Sequence, residues 1–285
     1  MAYFPRLFST ENAKAAKASG FGYLNAVHYM APHDLGGVGN LCSHASAQCI
    51  ALCLGHYSGQ AGMVTNLETD TNAARESRKL KAQLFMRSRN DYMNRLARDI
   101  IKLDAQAARD GLRLCVRLNG STDIVWERVS FQIDARTAKA LPPSDYAGRI
   151  MTLPQLFPAI QFVEYTKNPT RLGKAPRNLD LTLSYSGANA RACVDALLAG
   201  HNVAMVFHGG LPASFAGFPV IDGDKHDLRH LDAKGGFIVG LSPKGRKAKR
   251  DTSGFVVAHS LPLGSGLEAD FRILRHAATQ AAIAA

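Results

Sequence analysis

The strongest constraint on the fold is a succession of short apolar runs, each ending in polar residues and separated from the next by helical or loop segments. "FGYLNAVHYM" (21–30) reads as a first strand. "LRLCVRLNG" (112–120), "IQFVEYTKN" (160–168), "LDLTLSYSG" (179–187) and "NVAMVFHGG" (202–210) follow, then "FPVIDGD" and "GFIVGLSPKG". "ANARACVDALLAGH" between two of these runs fits a crossover helix. Strands alternating with helices predict an α/β fold with a parallel sheet, either open and doubly wound or a complete or partial (β/α) barrel. The strand ends favour the barrel. Asn25 and His28, then Arg117, Asn119, Ser121 and Asp123, then Tyr165 and Lys167, then Ser184 and Ser186, then His208 would converge on one face, because the carboxyl ends of parallel barrel strands open together. Polar loops simply beginning where strands stop is the simpler alternative.

At 285 residues and 46% hydrophobic content the chain can fill one large core, and no repeat or Gly/Ser-rich linker divides it. We expect a single domain over 21–262, an N-terminal extension (1–20) and a C-terminal helical segment (263–285). No apolar run reaches the length of a membrane span, and the first residues lack the apolar region of a secretory signal. No membrane partner and a cytoplasmic location are therefore expected. In that reducing setting five cysteines, an odd number, argue for metal, cluster or catalytic use rather than disulfides.

Three of them fall in "NLCSHASAQCIALCLGHYSGQAG" (40–62), after the first strand and a Gly-rich loop. If "ASAQCIALCLGHY" is one helix, Cys49 and Cys53 share a face, and Cys42 can fold back beside them. Three thiolates can hold a [4Fe–4S] cluster and leave one iron open. They can also hold zinc with His44 or His56 as fourth ligand. Buried cysteines acting as small hydrophobes are the third alternative, and the simplest one for Cys115 and Cys193.

"VIDGDKHDLRHLD" (220–232) gathers Asp222, Asp224, Asp227, Asp232, His226, Arg229 and His230. Such a set can bind a cation or move a proton, or it can be a turn satisfied by its own caps and an Asp–Arg pair. Net charge is +11, concentrated in 75–102, read as one long amphipathic helix with Leu80, Leu84, Met86, Tyr92, Leu96 and Ile100 inward, and in "KGRKAKR" (244–250). These segments suit a nucleic acid or nucleotide partner, or solvated faces.

Together "CSHASAQCIALCLGHYSGQAG", "VRLNGSTDIVWE", "EYTKNP", "AGHNVAMVF" and "FPVIDGDKHDLRHLDAKGGFIVGLSPKG" resemble the phage-encoded gene product 88 domain proteins over roughly residues 20 to 258. That family resembles more distantly, in layout rather than motif, the radical S-adenosylmethionine proteins, whose three cluster cysteines follow the first barrel strand at tighter spacing. The resemblance implies a radical-SAM-like barrel in the host bacterial cytoplasm, with a [4Fe–4S] cluster on Cys42, Cys49 and Cys53 and S-adenosylmethionine as cofactor. Asn25, His28, Arg117 and Ser121 would bind cofactor. Asn119, Asp123, Tyr165, Lys167, Ser184, Asp222, Asp224, Asp227 and Arg229 would serve catalysis on a nucleotide or nucleic acid. The alternative is a non-enzymatic nucleic-acid-binding or host-interaction protein with a structural zinc or no metal.

Overall fold

In "YLNAVH" alternate residues point to opposite sides of a strand, and in the computed structural model, which describes residues 5–11, 13–141, 145–258 and 266–284, that alternation organises the whole molecule. The strands are β1 (Phe8–Ser9), β2 (Tyr23–His28), β3 (Arg113–Arg117), β4 (Phe131–Gln132), β5 (Ile150–Met151), β6 (Gln161–Thr166), β7 (Leu179–Ser184), β8 (Val203–His208), β9 (Ser214–Phe215), β10 (Phe218–Asp222), β11 (Ile238–Leu241) and β12 (Val256–Ala258). The main sheet runs β1-β2-β3-β6-β7-β8-β11-β10-β9, and β4 and β5 form a small separate ladder. From β2 to β10 every neighbouring pair is parallel, whereas β1 and β9 are added antiparallel at the two ends.

Among the described residues the sheet does not close, so the expectation of a complete barrel is corrected to an open, mostly parallel sheet. Up to β8 the strands of the main sheet stand side by side in chain order, and beyond it the order reverses to β11-β10-β9. The long helices Ala73–Arg87, Arg89–Arg109, Ala190–Leu198 and Gly266–Ala284 lie on one face. Leu179 and Leu181 pack with the core that includes Phe85, Leu96 and Ile100, while Leu183, of the same parity on β7, packs with Cys193, Leu197 and Phe271. Both helical layers therefore cover the same side of the sheet.

The other side carries Tyr23, Cys115 and Val163, which meet Leu228 and Ala18. That face is plugged by the Asp-rich segment and by the end of the first helix. At the carboxyl end β7 leaves β8 after Ser184↔Ala204. Val206 pairs with Leu241 of β11 and with Val256 of β12, so those strands occupy opposite edges of β8 and β12 fills the space that β7 vacates. This insertion brings Phe255 to the strand ends.

The residues expected as an extension contribute Leu7 and Phe8 to the main core. The boundary expected at 262/263 lies outside the described residues. The helix Gly266–Ala284 docks through Phe271, which is fully buried beside Tyr185 and Phe215. No helix among the described residues is long and apolar enough to cross a membrane.

Candidate functional site

The loop after β3 is built on one amide. Asn119 Oδ1 accepts from Thr122 Oγ1, the Ile124 N–H and Trp126 Nε1, while its Nδ2 donates to the Ile124 carbonyl and to Glu164. Asp123 accepts from Thr166 Oγ1, the Lys167 N–H and Arg171, so the loop is tied to the end of β6. Arg171, nearly fully buried, faces three carboxylates, those of Asp123, Glu127 and Glu164. Burial, opposed by Arg171, raises the Glu164 carboxyl to about 8. These bonds hold the strand ends rigid and leave Arg117, Tyr165, Lys167 and Ser184 on the face away from the helices.

The cysteine segment caps those strand ends. The expected helix is broken into Ala47–Ala51 and Leu54–Tyr57, with Cys53 at the junction. The break has tertiary causes. Leu52 is drawn into an apolar cluster with Ala248, Phe255 and Val256, and Gly55 sits so close to Ser121 that a Cβ there would strike its side chain. Ser46 caps the first helix by accepting the Cys49 N–H and donates to the Ser186 carbonyl beyond β7. Cys42 Sγ accepts the His33 N–H at 3.2 Å, and Cys53 takes the Gly55 N–H. Burial raises the Cys42 thiol to about 11. It raises Cys53 to about 12, with Cys49 and Cys42 adding to the shift and Lys167 opposing it.

Much of the basic charge is spent on holding this segment. The stretch read as one long helix is two, Ala73–Arg87 and Arg89–Arg109, bent at Ser88. Phe85 is buried where Met86 was expected, and Arg75, Arg78 and Lys81 turn inward with it. Arg75 donates to the carbonyls of His56, Ala61, Leu67 and Asp70. Arg78 donates to the Gly55 carbonyl and lies over the Tyr29 ring. From the other side Arg246 holds the carbonyls of Val64 and Thr65, and Lys247 pairs with Glu68 over the Tyr57 ring.

Between cap and strand ends lies a cavity of about 310 Å³. Its lining includes Cys42, Cys49 and Cys53, and of the other residues expected from sequence it includes Arg117, Asn119, Ser121, Asp123, Tyr165, Lys167, Ser184 and Asp227. Arg117 pairs with Asp227 at 3.3 Å and lies over the Tyr165 ring. The remaining candidates stand elsewhere. Asn25 is fully buried on the plugged face with both amide atoms unbonded, and His28 is a core residue between Tyr92 and the Leu118 carbonyl, lowered to about 3 by burial. Asp222 accepts the Asp224 N–H, Asp224 accepts the Ser242 N–H and pairs with Lys244, and buried Arg229 pairs with Asp232. Asp222, Asp224 and Arg229 are thus occupied in the turn itself.

Sequence reasoning missed Arg78, Lys244, Tyr29 and Phe255 as lining residues. Arg78 was detectable, because Arg75, Arg78, Ala82 and Phe85 recur at helical spacing on one face. The position of Phe255 depends on the β12 insertion, which no local pattern announces.

Three cysteines thus line one cavity, and backbone N–H groups point at two of them, Cys42 and Cys53. Among the described residues no three His, Cys, Asp or Glu side chains are grouped to hold a single metal ion, and His44 and His56 lie outside the cavity lining. Fold and cavity together define an open, mostly parallel α/β protein with a cysteine-lined cavity at its strand ends. The chain belongs to the gene product 88 family, the phage family its motifs resemble, whose model matches residues 6–259. No curated protein and no solved structure matches it.

Proposed function

We propose that the protein is an iron–sulfur enzyme of radical S-adenosylmethionine type, acting on a nucleotide or nucleic acid. The observation that carries this reading is the convergence of Cys42, Cys49 and Cys53 on one cavity at the carboxyl ends of parallel strands. Chain-order strands with their long helices on one face also support a partial barrel, since a doubly wound sheet places such helices on both.

On this reading the three cysteines hold a [4Fe–4S] cluster, which when bound supplies the electron for reductive cleavage of S-adenosylmethionine. The chain's own residues do the rest. Arg78 and Lys167, the two cations with electrostatic influence on Cys53, favour its thiolate. Leu52, Ala248 and Phe255 give the cavity an apolar wall, and Arg117, fixed by Asp227, lies beside the substrate space. The test is anaerobic reconstitution followed by incubation with S-adenosylmethionine and a reductant. A broad visible charge-transfer band and release of 5′-deoxyadenosine are expected; colourless protein that takes up one zinc per chain overturns the proposal.

A second reading, a non-enzymatic nucleic-acid-binding protein, draws on Lys79, Arg87 and Arg89, which stay exposed after the inward residues are subtracted. It requires steeply salt-dependent binding that persists when the three cysteines are replaced by alanine.

A further inference from the structure

Six charged side chains line the cavity, and four of them have a charged partner. Asp123 is bonded to Arg171, Asp227 to Arg117, and Lys244 to Asp224. The exceptions are Arg78, which spends its guanidinium on a carbonyl and a ring, and Lys167. Lys167 is half-buried, and among the described residues its ammonium donates to the neutral Ser184 hydroxyl and stands 6.0 Å from the Phe255 ring centroid.

The placement of Lys167 is enforced. Its N–H is held by Asp123 at 2.8 Å, the next N–H, of Asn168, by Thr166 Oγ1, and Thr166 Oγ1 donates to Asp123 in turn. Ser184 is fixed likewise, because Asn189 donates to its carbonyl and accepts the Ser186 N–H. Two rigid strand ends thus present an ammonium and a hydroxyl side by side. A half-buried ammonium whose hydrogen-bond partner among the described residues is a neutral hydroxyl is stabilised by an incoming oxyanion, to which both groups can donate. Phe255, Leu52 and Val206 form an apolar wall in the same cavity, suited to a flat ring.

We infer that Lys167 and Ser184 form the oxyanion seat of the cavity, taking the phosphate or carboxylate of a nucleoside-bearing ligand whose ring lies against Phe255. This rests on the reading of the cavity as a ligand site, and its chemistry holds with or without iron. The probes are AMP, carrying a phosphate, S-adenosylhomocysteine, carrying a carboxylate, and adenosine, carrying neither. Calorimetry at fixed ionic strength is run on wild type and on Lys167→Met, Lys167→Arg and Ser184→Ala, with iron content and circular dichroism measured on each.

AMP or S-adenosylhomocysteine should bind wild type about tenfold or more tighter than adenosine, and whichever does identifies the anion. That advantage should vanish in Lys167→Met, fall in Ser184→Ala and survive within a few-fold in Lys167→Arg. Equal binding of all three probes overturns the seat, as does an anion preference that Lys167→Met or, should that variant misfold, Ser184→Ala leaves intact. Iron-free protein that still prefers the anion contradicts the cluster and leaves the seat standing. Iron-loaded protein indifferent to the substitutions does the reverse.

Discussion

Asn119 shows how one residue fixes a site without needing to touch a ligand. All of its amide capacity is spent on the loop after β3 and on Glu164, and Trp126, fully buried, donates its only polar hydrogen to it. Asn119→Ala leaves Trp126, Ile124 and Glu164 with unmet bonds, so urea unfolding should show a loss of about 2–4 kcal/mol. The neighbouring carboxylates make a pH prediction. Burial raises the Glu164 carboxyl to about 8 in the folded chain, against an ordinary 4.5. Between those values this carboxyl holds its proton in the folded state and not in the unfolded one, so its contribution to stability falls as pH rises from about 5 to 8, against the opposite contributions of His28, His56 and His230, whose pKa values burial lowers. Asp232, raised to about 6 by burial, adds to the lower part of the same decline. Glu164→Gln should flatten that decline in denaturation curves taken across the range, and an unchanged slope would assign it to other groups.

The cysteine cap is the element on which the site depends, and it is held mostly by cationic side chains on backbone carbonyls. Arg75 alone binds four such carbonyls between His56 and Asp70. Arg75→Met keeps most of the aliphatic stem and removes those bonds. Hydrogen exchange should then accelerate across 54–70 by an order of magnitude or more, while β6 and β7 stay protected. Uniform acceleration would mean that the cap and the sheet unfold as one unit. The composition conveyed the charge of segments 75–102 and 244–250 and hid its use. A basic residue on a helix face reads as solvated, and only the 3–4 spacing of Arg75 and Arg78 with Ala82 and Phe85 marks them as inward. The broken helix at Leu52–Cys53 was equally hidden, since its cause is the approach of Ser121 to Gly55 from a loop 66 residues further along the chain.

At the scale of the molecule, alternation and strand-end polarity carried most of the information. The parallel strands β2, β3, β6, β7 and β8 are legible as apolar runs, and Arg117, Tyr165, Lys167 and Ser184 reach one cavity because chain-order parallel strands bring their ends together. His28 and Asn25 failed to reach it for a reason of register: His28 has the parity of the helix-covered face, and Asn25 lies lower on the plugged face. The openness of the sheet, the reversed order β11-β10-β9 and the insertion of β12 are long-range features that no local pattern encodes. The account stands on the three cysteines sharing one cluster. Its most direct test is iron and acid-labile sulfide per chain in anaerobically reconstituted wild type and in Cys42→Ser, Cys49→Ser and Cys53→Ser. About four of each per wild-type chain, with a severe loss in every single variant, is the predicted result. Wild-type protein without iron, or iron that survives all three substitutions, would contradict it.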